Sequence, residues 1–266
     1  RVVFQRVRGR MMRFGIVGPL LLVLLAAACG SSDARTGSLR ILAASSLRDV
    51  LDEAGESFQR ERGIEVVVVT GGSNLVADQL AAGAPADVFF SASALEVDRL
   101  IKAGLLRADS RRDVLRNSLV VVAPAGAGAS LAKDPLAGIR KVRRLSIAHP
   151  EAVPLGRYAK TWLVEAGLWE DLKSRCVYAL DARAALAAVA SGGTDAGIVY
   201  RSDAYRSQAV QVVYEVPVGE GADVVYPAAI TTAGNRPEDA SAFLEFLVAE
   251  QRASLERAGF EVIPQH

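Results

Sequence analysis

The stretch Leu39-Arg-Ile-Leu-Ala-Ala-Ser-Ser-Leu-Arg-Asp-Val-Leu-Asp-Glu-Ala-Gly-Glu-Ser-Phe58 changes its period partway along. Leu39–Ala44 is a nearly unbroken apolar run, the pattern of a strand buried on both faces. Beyond it the apolar positions are Leu47, Val50, Leu51, Ala54 and Phe58, the i, i+3, i+4, i+7, i+11 spacing of one helix face. A buried strand that runs straight into an amphipathic helix is the opening unit of an α/β domain. Ser46 sits where the period changes. The same order of signals recurs at Val66–Val69, Thr70-Gly-Gly-Ser-Asn-Leu75 and the helical pattern of Leu75, Val76, Gln79 and Leu80, with Ser73 in the matching place.

Outward from there, strand-like and helical patterns keep alternating. Ala86–Ser91, Asn117–Ala123, Leu145–Ala148, Ala196–Tyr200, Val210–Val216 and Val224–Thr231 read as strands. Between them, helical faces run through Val97, Leu100, Ile101 and Leu105, then from Pro154 through Tyr158, Trp162 and Leu163. Asp181 can cap a helix to Ala190 that Ser191-Gly-Gly193 closes, and the tail from Pro237 to Leu255 is helical. The alternation predicts a parallel α/β architecture.

A serine at the start of a helix has two readings. Its oxygen can accept from the N2 or N3 amide as an ordinary N-cap. Alternatively its proton can join the unpaired N–H groups and the positive dipole end to hold an anion without any cationic side chain.

The whole chain is formally +1, while residues 1–28 hold five arginines and no acid. The remainder is therefore at +1 − 5 = −4, a poor charge for nucleic acid. Arg13, the apolar stretch Phe14–Ala28 and the small residues before Cys29 read as a secretory leader over 1–28. Its apolar run is shorter than the roughly 20 residues a membrane span needs. Cys29 after Ala26-Ala-Ala28 resembles a lipoprotein signal, although the usual leucine three residues earlier is Ala26 and Leu25 lies one place further off. A lipidated Cys29 and the polar tether 29–38 would tie the body to the membrane. Cys176 would then be the one remaining thiol.

No Gly-x-Ser-x-Gly, phosphate-binding loop or dinucleotide fingerprint is present. The histidines are His149 and His266, so a hydrolase triad would pair Ser46 or Ser73 with His149 and either Asp181 or Asp195. Transition-metal ligands are as scarce.

Several blocks in order resemble the molybdate-binding proteins of bacterial ABC transporters. They are Leu39–Leu47, Gly72-Ser-Asn-Leu75, Ala82–Ser91, Asn117–Pro124, His149–Lys160 and Gly197–Asp203, and they run the length of the chain from Leu39. The resemblance implies a type II periplasmic-binding-protein fold: two α/β domains joined by two crossover segments, placed near Leu119–Val122 and Val225–Ala228. One domain would combine 39–119 with 228–266 and the other would span 120–227. It implies no enzyme and no cofactor, but an interdomain cage of neutral donors for molybdate or tungstate. The ligands would be the hydroxyls of Ser46, Ser73 and Tyr200 and the backbone N–H groups of Leu155 and Ala182. Leu155 and Ala182 depart from the small and β-branched residues expected there, yet the contact is through the backbone. Arg183 is implied to form a surface or interdomain ion pair. Also implied are an exported, lipid-anchored monomer at the outer face of the cytoplasmic membrane and delivery of the anion to a permease. Donor chemistry alone leaves sulfate open as an alternative.

Overall fold

The computed structural model describes residues 37–265 except 129, 130, 132, 218, 219, 221 and 222. The expected leader, Cys29 and most of the tether lie outside the described residues, as does His266.

Two mixed sheets form the core. Strands β1 (Leu39–Ala44), β2 (Val66–Gly71), β3 (Val88–Phe90) and β4 (Arg112–Asn117) belong to the first. Strands β5 (Leu119–Pro124), β6 (Leu145–Ala148), β7 (Cys176–Ala179), β8 (Ala196–Tyr200) and β9 (Val210–Glu215) build the second. The chain then returns to the first sheet with β10 (Val224–Ile230) and β11 (Glu261–Val262). The strand orders are β11-β4-β10-β3-β1-β2 and β7-β6-β8-β5-β9.

The helices of the first lobe are α1 (Arg48–Arg62), α2 (Ser73–Ala81) and α3 (Ala94–Lys102). The second lobe carries α4 (Pro135–Arg140), α5 (Pro154–Glu165), α6 (Trp169–Leu172), α7 (Ala182–Ala190) and α8 (Arg201–Tyr205). The tail folds back on the first lobe as α9 (Pro237–Ala249) and α10 (Arg252–Arg257). Here the single helix expected to Leu255 breaks at Glu250-Gln251.

The apolar positions decide the packing. Only Arg40 of β1 is exposed, as expected of a central strand covered on both faces. Helix α1 buries Val50, Leu51, Ala54 and Phe58, and the Phe58 ring meets Phe243 and Phe246 of α9 edge-on, each at 5.3 Å. In the second lobe Trp162 of α5 stacks on Tyr214 of β9 at 5.8 Å.

The sheets are mixed where the alternation predicts parallel ones. β1 runs parallel to β2 and β3, and β6 parallel to β7 and β8. β10 and β5, however, enter antiparallel to their neighbours. The physical reason is connectivity: β4 continues past the single residue Ser118 into β5, so one extended path serves both sheets and cannot turn to match the second. The apolar run from Asn117 to Ala123 therefore divides at Ser118. The return falls within 216–223, so Val224–Pro227 pair with the first sheet rather than with the span 120–227. Within β10 the register shifts between Tyr226 and Pro227, where proline has no N–H for the ladder.

Candidate functional site

Neither serine is an N-cap. Ser46 lies inside the short 3-10 turn Ser45–Leu47 that precedes α1, and no side chain caps that turn. Ser73 is the first residue of α2, one place beyond the cap position at Gly72, and its oxygen does not cap the helix either. Both are buried, at 5% and 2% exposure. The Ser73 oxygen accepts from the Ala92 N–H at 3.0 Å. A hydroxyl used as an acceptor keeps its proton for another partner. The Ser46 oxygen lies 3.0 Å from the Tyr226 hydroxyl.

The second lobe contributes backbone donors. Leu155 is in the first turn of α5 behind Pro154, and Ala182 is the first residue of α7. N–H groups in a first turn have no partner within the helix. Asp181 caps α7 by accepting from the Ala184 N–H at 2.9 Å, which leaves the N–H of Ala182 unused by the cap. Gly156 lets α5 begin so close to β6: a Cβ there would lie 2.3 Å from the Ala148 carbonyl oxygen. Tyr200, at the end of β8, is buried, and its hydroxyl has no hydrogen-bond partner among the described residues.

These parts meet. A cavity of about 10 Å³ between the lobes is lined by Ser46, Ser73, Leu155, Ala182 and Tyr200, together with Ala44, Ser45, Gly71, Gly72, Ala92, Val153 and Pro154. That volume is on the scale of one small group, far below the several hundred Å³ of a pocket for a drug-sized ligand. No lining residue has a charged side chain. The lining brings together the hydroxyl-bearing Ser45, Ser46, Ser73 and Tyr200 and residues at the N-terminal ends of α2, α5 and α7, where a helix has unpaired N–H groups and its positive dipole end. Burial pushes the Tyr200 and Tyr226 phenols well above their ordinary value, so both keep their protons.

The charged groups bind the lobes to each other around the cavity. Arg183 of α7 reaches Asp49 of α1 at 2.7 Å, and Arg206 reaches the same carboxylate at 3.2 Å. Arg157 of α5 pairs at 2.7 Å with Glu96 of α3, which is 4% exposed. Tyr158 donates to the Ala92 carbonyl at 3.2 Å. At the rim, Gly72 sits against the second lobe so closely that a Cβ would lie 3.1 Å from the Leu180 carbonyl oxygen. Behind Arg183 lies Asp203, fully buried. It pairs with the Arg183 Nε at 3.3 Å, yet neither carboxylate oxygen has a hydrogen-bond partner among the described residues. Burial raises this carboxyl to about 7, with Arg183 opposing the rise.

The hydrolase alternative fails on geometry. His149 is absent from the cavity lining; its Nδ1 accepts from the Glu151 N–H at 3.3 Å and its ring packs on Tyr178. Asp181 is committed to capping α7, and Asp195 accepts from the Arg143 and Arg144 N–H groups at 2.8 and 3.1 Å. Cys176 is half-buried and its thiol is pushed up to about 11 by burial, the state of an inert thiol. Among the described residues no cluster of three metal-ligating side chains occurs, and no helix is long and apolar enough to cross a membrane.

Sequence reasoning did not reach Tyr226, Asn117, Asp49 or Glu96. Each acts through a partner far away in the chain, and no local pattern marks such a role. Asn117 did fall inside a recognised block, Asn117–Pro124, but without an assigned part.

The chain is 35% identical to the Escherichia coli protein named molybdate-binding protein ModA over 244 residues, covering 89% of this chain and 93% of that one. It is 33% identical to the Haemophilus influenzae protein of the same name, covering 85% and 91%. Among solved structures, the Azotobacter vinelandii periplasmic molybdate-binding protein superposes with a TM-score of 0.76 at 26% identity, covering 86% of this chain and all of that one. The family described as bacterial extracellular solute-binding protein matches residues 39–261, from β1 to β11 and through both sheets. A solute-binding protein rather than an enzyme, the chain belongs to the bacterial extracellular solute-binding protein family.

Proposed function

We propose that the chain captures molybdate, and tungstate with it, in the cavity between its lobes and hands the anion to the membrane permease of an ABC transporter. The observation that carries this reading is a small buried cavity lined by donors and no charged side chain, into which Tyr200 brings an unpartnered hydroxyl. Ser46, Ser73 and Tyr200 would donate through oxygen, and Leu155 and Ala182 through the backbone. A hydrogen bond to a charged group contributes about 1.5–3 kcal/mol, so five give about 7–15 kcal/mol. Micromolar affinity needs about 8 kcal/mol left over after an association cost of at least about 4 kcal/mol, which the upper part of that range supplies. Neutral donors also avoid desolvating a cation beside the ion.

An all-donor cage favours an anion without protons, because a protonated oxygen would set hydrogen against hydrogen. Molybdate, tungstate and sulfate meet that condition and monohydrogen phosphate does not. The likeness to relatives named for molybdate binding favours molybdate over sulfate. Calorimetry of the purified chain against molybdate, tungstate, sulfate and phosphate tests the reading. Tight binding of the first two and weak binding of the others is expected, and a preference for sulfate would overturn the assignment.

The leader and Cys29 support export and lipid anchoring at the outer face of the cytoplasmic membrane. Cys29→Ser should move the protein from the membrane fraction to the soluble one. A wild-type chain already found in the soluble fraction would refute the anchor.

A further inference from the structure

One polar chain behind the cavity has a direction that the geometry determines. Asn117, the last residue of β4 before the crossover, accepts through Oδ1 from the Ser118 N–H at 2.9 Å. That contact orients the amide, because only the oxygen end can accept. The Nδ2 end therefore carries two protons, and two acceptors lie within reach: Ser202 Oγ at 2.8 Å and the Tyr226 hydroxyl oxygen at 3.2 Å. With Tyr226 accepting from Asn117, its own single proton is left for Ser46 Oγ at 3.0 Å. The opposite polarity would have Ser46 donate to Tyr226 and leave a buried phenol proton without an acceptor, which is the costlier arrangement. Ser46 thus accepts from behind, and its own proton points forward into the cavity.

We propose that Asn117 and Tyr226 are positioning residues that hold Ser46 as a hydrogen-bond donor to the anion, and through it make the cavity discriminate against oxyanions that carry a proton. The proposal rests on the oxyanion reading above. Without the relay a serine hydroxyl is ambivalent and can turn a lone pair toward a protonated ligand oxygen as readily as it turns its proton toward a bare one. Asn117 also ties this setting to the lobes, since Tyr226 belongs to the first sheet and Ser202 to α8 of the second lobe.

The test is a double-mutant cycle on the full chain, read by calorimetry with molybdate and phosphate. Asn117→Asp replaces the donating Nδ2 by an acceptor of the same shape. The Tyr226 proton then turns to the carboxylate, the Ser46 proton turns to Tyr226, and a lone pair faces the cavity. Molybdate affinity should fall about tenfold or more, and the ratio of molybdate to phosphate affinity should narrow. Tyr226→Phe keeps the ring contacts with Tyr200 and Phe260 and cuts the chain, so it should give a smaller loss with the same narrowing. In the Tyr226→Phe background, Asn117→Asp should add little, because no phenol remains to be reversed.

If Asn117→Asp weakens molybdate by the same factor with and without the Tyr226 hydroxyl, its charge acts through space and the relay is overturned. Single variants that keep the wild-type affinity ratio overturn it too. If Asn117→Asp does not fold, Tyr226→Phe decides alone, and an unchanged ratio refutes the proposal. A wild-type chain that binds none of molybdate, tungstate, sulfate and phosphate removes the oxyanion reading and the relay together, whereas normal wild-type binding with unaltered variants removes only the relay.

Discussion

Tyr200→Phe should change binding and stability in opposite directions. The substitution deletes one oxygen and leaves the ring, which is fully buried and lies edge-on to Tyr226 at 5.8 Å. That oxygen has no hydrogen-bond partner among the described residues, and an unmatched buried hydroxyl costs about 1–3 kcal/mol. Removing it should raise the stability of the ligand-free protein by a similar amount, or a few degrees in Tm at about 2–4 °C per kcal/mol for a chain of this size. The same change deletes a donor to a buried anion, worth about 1.5–3 kcal/mol, so molybdate should bind about ten- to a hundredfold more weakly. Thermal unfolding with and without molybdate reads both effects in one experiment: the baseline Tm rises and the ligand-induced shift shrinks. A variant that loses baseline stability while keeping wild-type affinity would refute the assignment of Tyr200 as an unsatisfied donor aimed at the ligand.

Ser73→Ala differs because it removes an acceptor as well as a donor. The Ala92 N–H loses its partner, so chemical denaturation should show a loss of about 1–3 kcal/mol alongside an affinity loss like that of Tyr200→Phe. Gly72→Val places a branched side chain against the Leu180 carbonyl, where even a Cβ would sit at 3.1 Å. It should weaken molybdate binding in calorimetry, and wild-type affinity in the variant would refute the close fit of the lobes at this rim. Asp203 carries the pH dependence. Its carboxyl rises from 3.8 to about 7 on folding, so between those values the native state holds more protons than the unfolded one and stability falls as pH rises, levelling off above about 7. The span corresponds to up to about 4 kcal/mol, and Asp203→Asn should flatten that part of the stability profile.

Much of the first lobe could be read from period alone. The switch at Leu39–Phe58 located β1 and α1, and the two serines stood out because each follows an apolar run and precedes a helical pattern, although β2 lies at the sheet edge with Val67 and Val69 exposed. Pro154 and Asp181 announced the starts of α5 and α7 through local stereochemistry, a proline at N1 and a capping carboxylate. Strand β4 escaped notice because its sequence, Arg112-Asp-Val-Leu-Arg-Asn117, is mostly polar and gains its place from pairing with β10 and β11. The crossover was blurred for a related reason: one extended path serves two sheets, and hydrophobicity does not record which sheet a strand joins. Leu155 and Ala182 carry no signal of their own, since a backbone N–H is common to nearly every residue. They entered through the resemblance, and the structure sets both on the cavity wall.

A cavity that offers protons but no cationic side chain has a kinetic consequence. Proteins that recruit anions with arginines and lysines draw them in from a distance, and their association slows as salt screens the attraction. Here residues 29–266 are net negative, and the dipoles of three helix ends fade within about a turn. On the proposed oxyanion reading, a dianion would approach against a weak repulsion and be recognised only on contact. Added salt should speed its capture rather than slow it, and local geometry rather than long-range attraction governs which of the dissolved anions is kept.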